Sequence, residues 1–336
     1  MTALDISNSP PSGARTPLAA KLPLATPYVL QIFPVYACNF RCTYCVLSLP
    51  LKKRVNPIAK QKFLDLSIFK KCIDDLHDFP DKVKVIRFCG LGEPTLHKHL
   101  PEMVAYARDS RRAESIELLT NGSLLSESLS KELVDAGLSK IRISIEGTSS
   151  KNYKEITQNY DKFDQIIKNI SYLYEIRQQC KIYVKTINSA LKSEQDKKLF
   201  FRQFENISDF IAVEHLFPSS PLIDYGNIEM NETQNGTPIV ETRICPQPFF
   251  LMQLHPDGRI EPCCAMENPP FVGQIPNQSL ASIWNGKELQ KFRNLQLNGG
   301  GNAHPSCAQC KLYRYNTFPE DVLDNDRERL LQIFPA

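Results

Sequence analysis

From residue 27 to about 220 the hydrophobic pattern alternates between two periods. Short apolar or alternating runs predict strands at Val29–Phe33, Val83–Phe88, Ile116–Leu119, Ile141–Ile145, Ile182–Ile187 and Phe210–Val213. Between them, apolar residues recur at helical spacing. Ile68, Cys72 and Leu76 stand at i, i+4 and i+8, with Ser67 as a candidate cap. Leu100, Met103, Val104 and Ala107 make the next stripe. Leu129 and Leu133 make the third, with Gly137 placed to end it. The longest stripe runs through Phe163, Ile166, Ile167, Ile170, Leu173 and Tyr174, and a weaker one from Leu199 to Phe204. Six such repeats imply a parallel sheet, because parallel neighbours need a crossover. Right-handed crossovers curl that sheet into an open barrel or wind it doubly. In barrels of this kind the working loops follow the C-terminal ends of the strands. The loops after Phe33, Phe88, Leu119, Ile145 and Ile187 then surround one mouth.

After Pro218 the periodicity stops, and residues 221–244 read as a linker. Phe249–Leu254 and Arg259–Glu261 flank Pro256-Asp257-Gly258, a hairpin signal. Ser279 to Phe292 reads as one helix with Leu280, Ile283, Trp284 and Leu289 on a face. Residues 316–336 read as a terminal helix and tail. Residues 1–26, rich in Ser, Pro, Ala and Thr, read as a disordered tail. The expected domains are a barrel over 27–220 and a cysteine-bearing unit over 245–315.

Composition narrows the classes of function. The chain has 336 residues, 42% hydrophobic and 23% charged, as in an ordinary globular protein. Lys plus Arg total 40 against 37 Asp plus Glu, a net charge of +3 that excludes nucleic-acid binding by bulk charge. No run approaches the roughly 18–20 apolar residues of a membrane span, so no membrane partner is expected. No secretory signal precedes the barrel, and a cytoplasmic location is expected. The cysteines number eleven, an odd count that argues against a secreted disulfide scaffold.

Eight of the eleven fall in tight groups. Cys38, Cys42 and Cys45 form a C-x3-C-x2-C motif directly after the first strand. Three thiolates can hold three irons of a cubane and leave the fourth open, whereas a complete set has four ligands. A zinc knuckle lacking a nearby fourth ligand is the bland alternative. Cys245, Cys263, Cys307 and Cys310 form the second set, which suits zinc and an iron–sulfur cluster equally by chemistry alone. Gly90-Leu91-Gly92-Glu93 follows the second strand, where paired glycines let a ligand approach the backbone. Thr120-Asn121-Gly122 ends the third strand, Ser144 lies on the fourth, and Lys185 and Asn188 lie on and after the fifth. Cys72 and Cys180 read as core thiols. Cys89 reads as a strand-end core residue beside the glycine motif.

The C-x3-C-x2-C motif with an aromatic residue, Tyr44, before its last cysteine resembles the signature of the radical S-adenosylmethionine (SAM) superfamily. The resemblance implies a partial (β/α)6 TIM-like barrel, a SAM-binding [4Fe–4S] cluster on Cys38, Cys42 and Cys45, and a 5′-deoxyadenosyl radical that abstracts substrate hydrogen. It implies SAM contacts from Tyr44, Gly90, Gly92, Glu93, Asn121, Ser144, Lys185 and Asn188, with Leu91 a departure from the family's "GGE" motif. The second cysteine set resembles a SPASM/twitch-type auxiliary domain, a small β-hairpin plus helix. With no cysteine after Cys310, the resemblance implies one auxiliary [4Fe–4S] cluster. The implied reaction is oxidation of a secondary alcohol on a sugar or aminocyclitol-type metabolite, with that cluster as electron acceptor. Modification of a ribosomal peptide is the alternative. Lys185, Glu214, His215 and Arg243 are candidate bases. Cys264 packs near the auxiliary cluster, ligates it, or donates hydrogen to a substrate radical. A flavodoxin- or ferredoxin-type electron donor is implied.

Overall fold

The computed structural model describes residues 2–9, 15–50, 53, 61–226, 228, 230–264 and 270–336. Ten strands form one sheet: β1 (Leu4–Asp5), β2 (Val29–Ile32), β3 (Val83–Phe88), β4 (Ala113–Thr120), β5 (Lys140–Ile145), β6 (Lys181–Ile187), β7 (Phe210–Glu214), β8 (Leu251–Leu254), β9 (Arg259–Glu261) and β10 (Gly273–Gln274). Their order is β1-β7-β6-β5-β4-β3-β2-β8-β9-β10. The six strands β2 to β7 are parallel and consecutive, as the strand–helix repeats predict. Helices α1 (Leu66–Asp74), α2 (Leu100–Asp109), α3 (Glu127–Asp135), α4 (Ser150–Thr157), α5 (Phe163–Ile176) and α6 (Glu194–Phe204) cover the outer face. The C-terminal region adds α7 (Leu280–Trp284), α8 (Lys287–Leu297), α9 (Pro305–Gln309), α10 (Leu312–Asn316) and α11 (Arg327–Ile333).

Alternation along each strand separates core from lumen. On β5, Ile141, Ile143 and Ile145 are buried in the main core, while Arg142 and Ser144 between them stay half-buried. The same holds on β6, where Val184 and Thr186 are buried and Lys185 is half-buried. The inward face is therefore lined by polar side chains and reaches solvent through the mouth.

Several sequence expectations change. The cap of α1 is Asp65, which accepts from the Ser67 backbone N–H at 2.7 Å; Ser67 lies inside the helix. The segment from Ser279 to Phe292 is two helices broken at Asn285-Gly286, where Gly286 takes extended backbone at the start of α8 and where a side chain would sit 2.7 Å from the Ser282 carbonyl. The N-terminal segment is not a free tail. Leu4–Asp5 extends the sheet beside β7, and Leu18, Ala19 and Leu22 pack with Leu323, Leu330 and Phe334 in a second core. Among its described residues the 221–244 segment has no helix or strand, but it docks on α10: Gln234 donates from its backbone to the Tyr315 carbonyl at 2.9 Å.

The predicted hairpin β8–β9 forms, with Gly258 at φ +83° in its turn. Its unexpected feature is that β8 also pairs in parallel with β2, residue for residue from Val29 and Leu251 to Ile32 and Leu254. The C-terminal region thus continues the barrel sheet. Trp284 fixes it further by donating from Nε1 to the Leu24 carbonyl at 2.9 Å, and the Leu280 backbone N–H donates to Asp75 at 3.0 Å.

Candidate active site

The loop after β2 carries Cys38, Cys42 and Cys45, all half-buried at the barrel mouth. Two neighbours hold it by backbone bonds. Arg41 and Thr43 donate to the Thr157 and Ile156 carbonyls at the end of α4, at 3.0 and 2.9 Å. On the other side, the Glu93 backbone N–H donates to the Ala37 carbonyl at 2.8 Å. Asn121 reaches in from the end of β4: its Nδ2 donates to Asn39 Oδ1 at 2.9 Å, and Asn39 donates in turn to Ser123 at 2.7 Å.

The glycine motif serves this loop through close backbone approach. A side chain at Gly92 would lie 2.1 Å from the Val35 carbonyl oxygen, and one at Gly90, with φ +119°, would enter the Phe33 ring. Leu91 departs from the expected glycine because its side chain joins Phe33, Val46 and Cys89 in an apolar cluster. The Gly92→Ala variant should displace the cysteine loop by a sizeable fraction of an ångström. Displacements of that order can lower rates about a hundredfold. We expect reduced iron loading and a SAM cleavage rate down by that order, measured as 5′-deoxyadenosine released.

Glu93 is buried and largely spent on structure. Its Oε1 accepts from the Thr95 backbone at 3.0 Å and from the Thr95 and Thr120 hydroxyls at 2.5 and 2.6 Å. Its Oε2 accepts from the Asn121 backbone at 2.8 Å and keeps the remaining accepting capacity. Burial raises its carboxyl above the usual range, with the four donors opposing. Tyr44 donates to Glu146 Oε2 at 2.6 Å, a partner at the end of β5. Ser144 sits in register with Lys185 on the lumen side.

The structure does not bring all the candidates together. Lys185 faces the lumen but is paired with Glu214 at 2.6 Å. Tyr183 and Gln234 also donate to Glu214, at 3.0 and 2.7 Å. Burial alone would raise the Glu214 carboxyl, yet these partners hold it below its ordinary value. Asn188 and His215 line a separate cleft with Asn8, Lys192 and Glu232, and no cysteine borders it. Arg243 is exposed, its backbone N–H bound to Asp324 at 2.8 Å beside the C-terminal segment. His215 and Arg243 are therefore not placed to act as bases in the lumen. Spacing along the chain could not reveal this: His215 falls just past the end of β7, where the strand alternation no longer fixes its side, and Arg243 lies in the segment without periodicity.

Cys245, Cys263, Cys307 and Cys310 come from separate positions in the chain to line one small cavity, walled by Pro248, Phe292 and Leu312. Burial pushes six of the grouped thiols upward, Cys38 and Cys264 to about 11, with Cys42, Cys245, Cys307 and Cys310 also raised, and pushes Cys89, outside the groups, to about 12. As free thiols they stay protonated at neutral pH, and only a bound metal's charge would convert the grouped ones to thiolates. Among the described residues no three His, Cys, Asp or Glu side chains converge tightly enough for a single ion. A lone zinc would draw its sulfurs to about 3.8 Å from one another, whereas a cubane spreads its ligands over different irons. By the chemistry of their donors, three thiols on one loop and four around one cavity, both cysteine sets suit iron–sulfur clusters.

Cys264 does not line that cavity. Its thiol and its backbone N–H both donate to Gln247 Oε1, at 3.0 and 2.9 Å. It lies within electrostatic reach of the auxiliary Cys245 and Cys310 and also of Cys89 and Arg87, between the cavity and the sheet. Tyr225, in the segment read as a linker, is close enough to Cys45 to interact electrostatically and borders a cavity that also includes Cys310 and Lys311. This segment thus walls the space between the two cysteine sets, a role its irregular sequence gives no sign of.

Known proteins with these features agree. The profile of the Radical SAM superfamily matches residues 32–189, and that of the SPASM iron–sulfur cluster-binding domain matches residues 245–311. A tungsten-containing aldehyde ferredoxin oxidoreductase cofactor-modifying protein of Pyrococcus furiosus is 25% identical over 82% of this chain and 85% of its own length. A GTP 3′,8-cyclase of Chlorobaculum tepidum is 36% identical over 43% of this chain, which spans only 40% of that protein. Among solved structures, BtrN in complex with AdoMet and 2-DOIA aligns over 84% of this chain and 92% of its own, at TM-score 0.57 and 19% identity. Streptococcus suis SuiB bound to precursor peptide SuiA aligns over 81% and 67%, at TM-score 0.61 and 16% identity. No helix of the described residues is long and apolar enough to cross a membrane. With three cysteines at the mouth of a parallel α/β barrel and four around a second cavity, the chain belongs to the radical SAM superfamily and carries a C-terminal SPASM iron–sulfur cluster-binding domain.

Proposed function

We propose that this enzyme is a radical SAM oxidoreductase that converts a secondary alcohol of a sugar or aminocyclitol-type metabolite to a ketone. The observation that carries the reading is the pairing of a three-cysteine set at the barrel mouth with a separate four-cysteine cavity. When bound, the first cluster and SAM supply the 5′-deoxyadenosyl radical, and the closed second cluster, the single auxiliary [4Fe–4S] cluster, supplies an electron acceptor. The chain's own residues hold and orient the reactants. The Glu93–Ala37 and Asn121–Asn39 bonds fix the cysteine loop, and Ser144, Lys185 and Glu93 Oε2 are the polar groups offered to SAM. Tyr44, Gly90, Gly92 and Asn121 complete that site, and reduction comes from a flavodoxin- or ferredoxin-type donor. The similarity to BtrN, whose structure holds 2-DOIA, supports a small-molecule substrate.

The second reading is peptide modification, favoured by the alignment with SuiB bound to its precursor peptide. There Cys264, bonded to Gln247 and within electrostatic reach of Cys89 and Arg87 as well as of Cys245 and Cys310, is the thiol to test as hydrogen donor. The two readings separate on substrate deuterated at the carbinol carbon. Oxidation places deuterium in 5′-deoxyadenosine and forms one ketone per SAM, read by mass spectrometry. A redox-neutral product that takes up one solvent deuterium at carbon overturns the dehydrogenase reading.

A further inference from the structure

The barrel lumen holds a charge imbalance that neither cysteine set accounts for. Arg87 on β3 reaches Glu117 Oε2 on β4 through both Nε and Nη2, at 3.0 Å each. Arg142 on β5 reaches the same oxygen through Nη2 at 3.0 Å, and Lys140 stands 3.6 Å from Oε1. Three cations share one carboxylate. Among the described residues no second carboxylate lies within ion-pair distance of either arginine. Glu214 acts on Arg142 only from farther away and is already held by Lys185. The other lumen neighbours, Gln31 in register with Arg87 and Tyr183 in register with Arg142, are neutral.

Cations that outnumber their carboxylate in a barrel interior are costly to desolvate. Arg142 also buries its Nε with no hydrogen-bond partner. Neither side chain is fully enclosed, with exposures of 21% for Arg87 and 15% for Arg142. A guanidinium presents a planar fork that matches a carboxylate or phosphate. Arg142 lies two residues below Ser144, about 6–7 Å deeper along the strand. An anion there sits beneath the polar positions offered to SAM and beside Cys89 and Cys264.

We propose that Arg87 and Arg142 form an oxyanion-recognition site in the lumen, and that the substrate carries a carboxylate or phosphate that docks on it. This rests on the reading of the lumen as the substrate site, and it narrows a sugar-type substrate to an acidic or phosphorylated one. The carboxylate of SAM is the competing source of the same chemistry. The test uses anaerobically reconstituted full-length enzyme saturated with SAM, titrated with inorganic phosphate and with acetate by calorimetry. Saturable binding of either anion is expected, weakened tenfold or more in Arg142→Gln and in Arg87→Gln, with SAM affinity unchanged. Glu117→Gln removes the competing carboxylate and should tighten binding several-fold, a direction that misfolding cannot produce. The proposal is overturned if neither anion binds, if anion affinity is the same in Arg142→Gln and Glu117→Gln, or if SAM affinity falls instead. Anion binding needs no turnover, so this outcome is independent of the deuterium experiment that tests the dehydrogenase reading.

Discussion

The Cys38→Ala, Cys42→Ala, Cys45→Ala triple variant should lose about four of about eight irons and all SAM cleavage. The three thiols occupy one loop, and no other cysteine of the described residues is placed to replace them. Cys89, just past the end of the neighbouring strand β3, is buried in the apolar cluster with Phe33 and Leu91. The four auxiliary cysteines sit on different elements and should keep their irons. The loop's backbone anchors at Ala37, Arg41 and Thr43 do not involve the thiols, so the barrel should fold. Iron and sulfide analysis, with 5′-deoxyadenosine measured under dithionite, checks both halves. Cleavage at the wild-type rate would sink the assignment of these cysteines.

The second large effect concerns the other set. A Cys307→Ala, Cys310→Ala variant should still cleave SAM with dithionite yet make little oxidised product. Cys307 lies within α9 and Cys310 caps its C-terminal end, and both line the auxiliary cavity. Their loss leaves two ligands where a closed cluster needs four. A substrate radical formed beside a hydroxyl would then lack an acceptor. The ratio of ketone to 5′-deoxyadenosine, near one in the wild type, should fall at least tenfold. A ratio that stays near one would remove the auxiliary site from the oxidation.

The barrel was legible because its strands and helices each bury one face, and burial writes a period into the sequence. Val83–Phe88 is a strand over the same residues that the pattern predicts, and the other five differ by a few terminal positions. The cysteine sets were legible because ligand chemistry restricts residue type and spacing together. What stayed hidden depends on partners far along the chain. Leu18 and Leu22 look like isolated apolar residues in a polar tail until Leu330 and Phe334 meet them. α4, whose Ile156 and Thr157 carbonyls anchor the cysteine loop, carries few apolar residues and gave no stripe. His215 and Arg243 are chemically suitable bases, but only the folded chain shows that one faces an outer cleft and the other the C-terminal segment. The Arg87–Glu117–Arg142 grouping spans three strands and leaves no local trace.

The parallel pairing of β8 with β2 has a further consequence. In a parallel barrel left open, the first strand is an exposed edge whose free N–H and C=O groups invite other chains. Here β8 covers that edge, and β1 does the same beside β7. The region that carries the auxiliary cysteines is therefore also the sheet's guard against self-association. Cutting the chain before Cys245 would not yield a smaller soluble barrel. It would uncover Val29–Ile32, an apolar strand with an open side, and the fragment would be prone to aggregate through it.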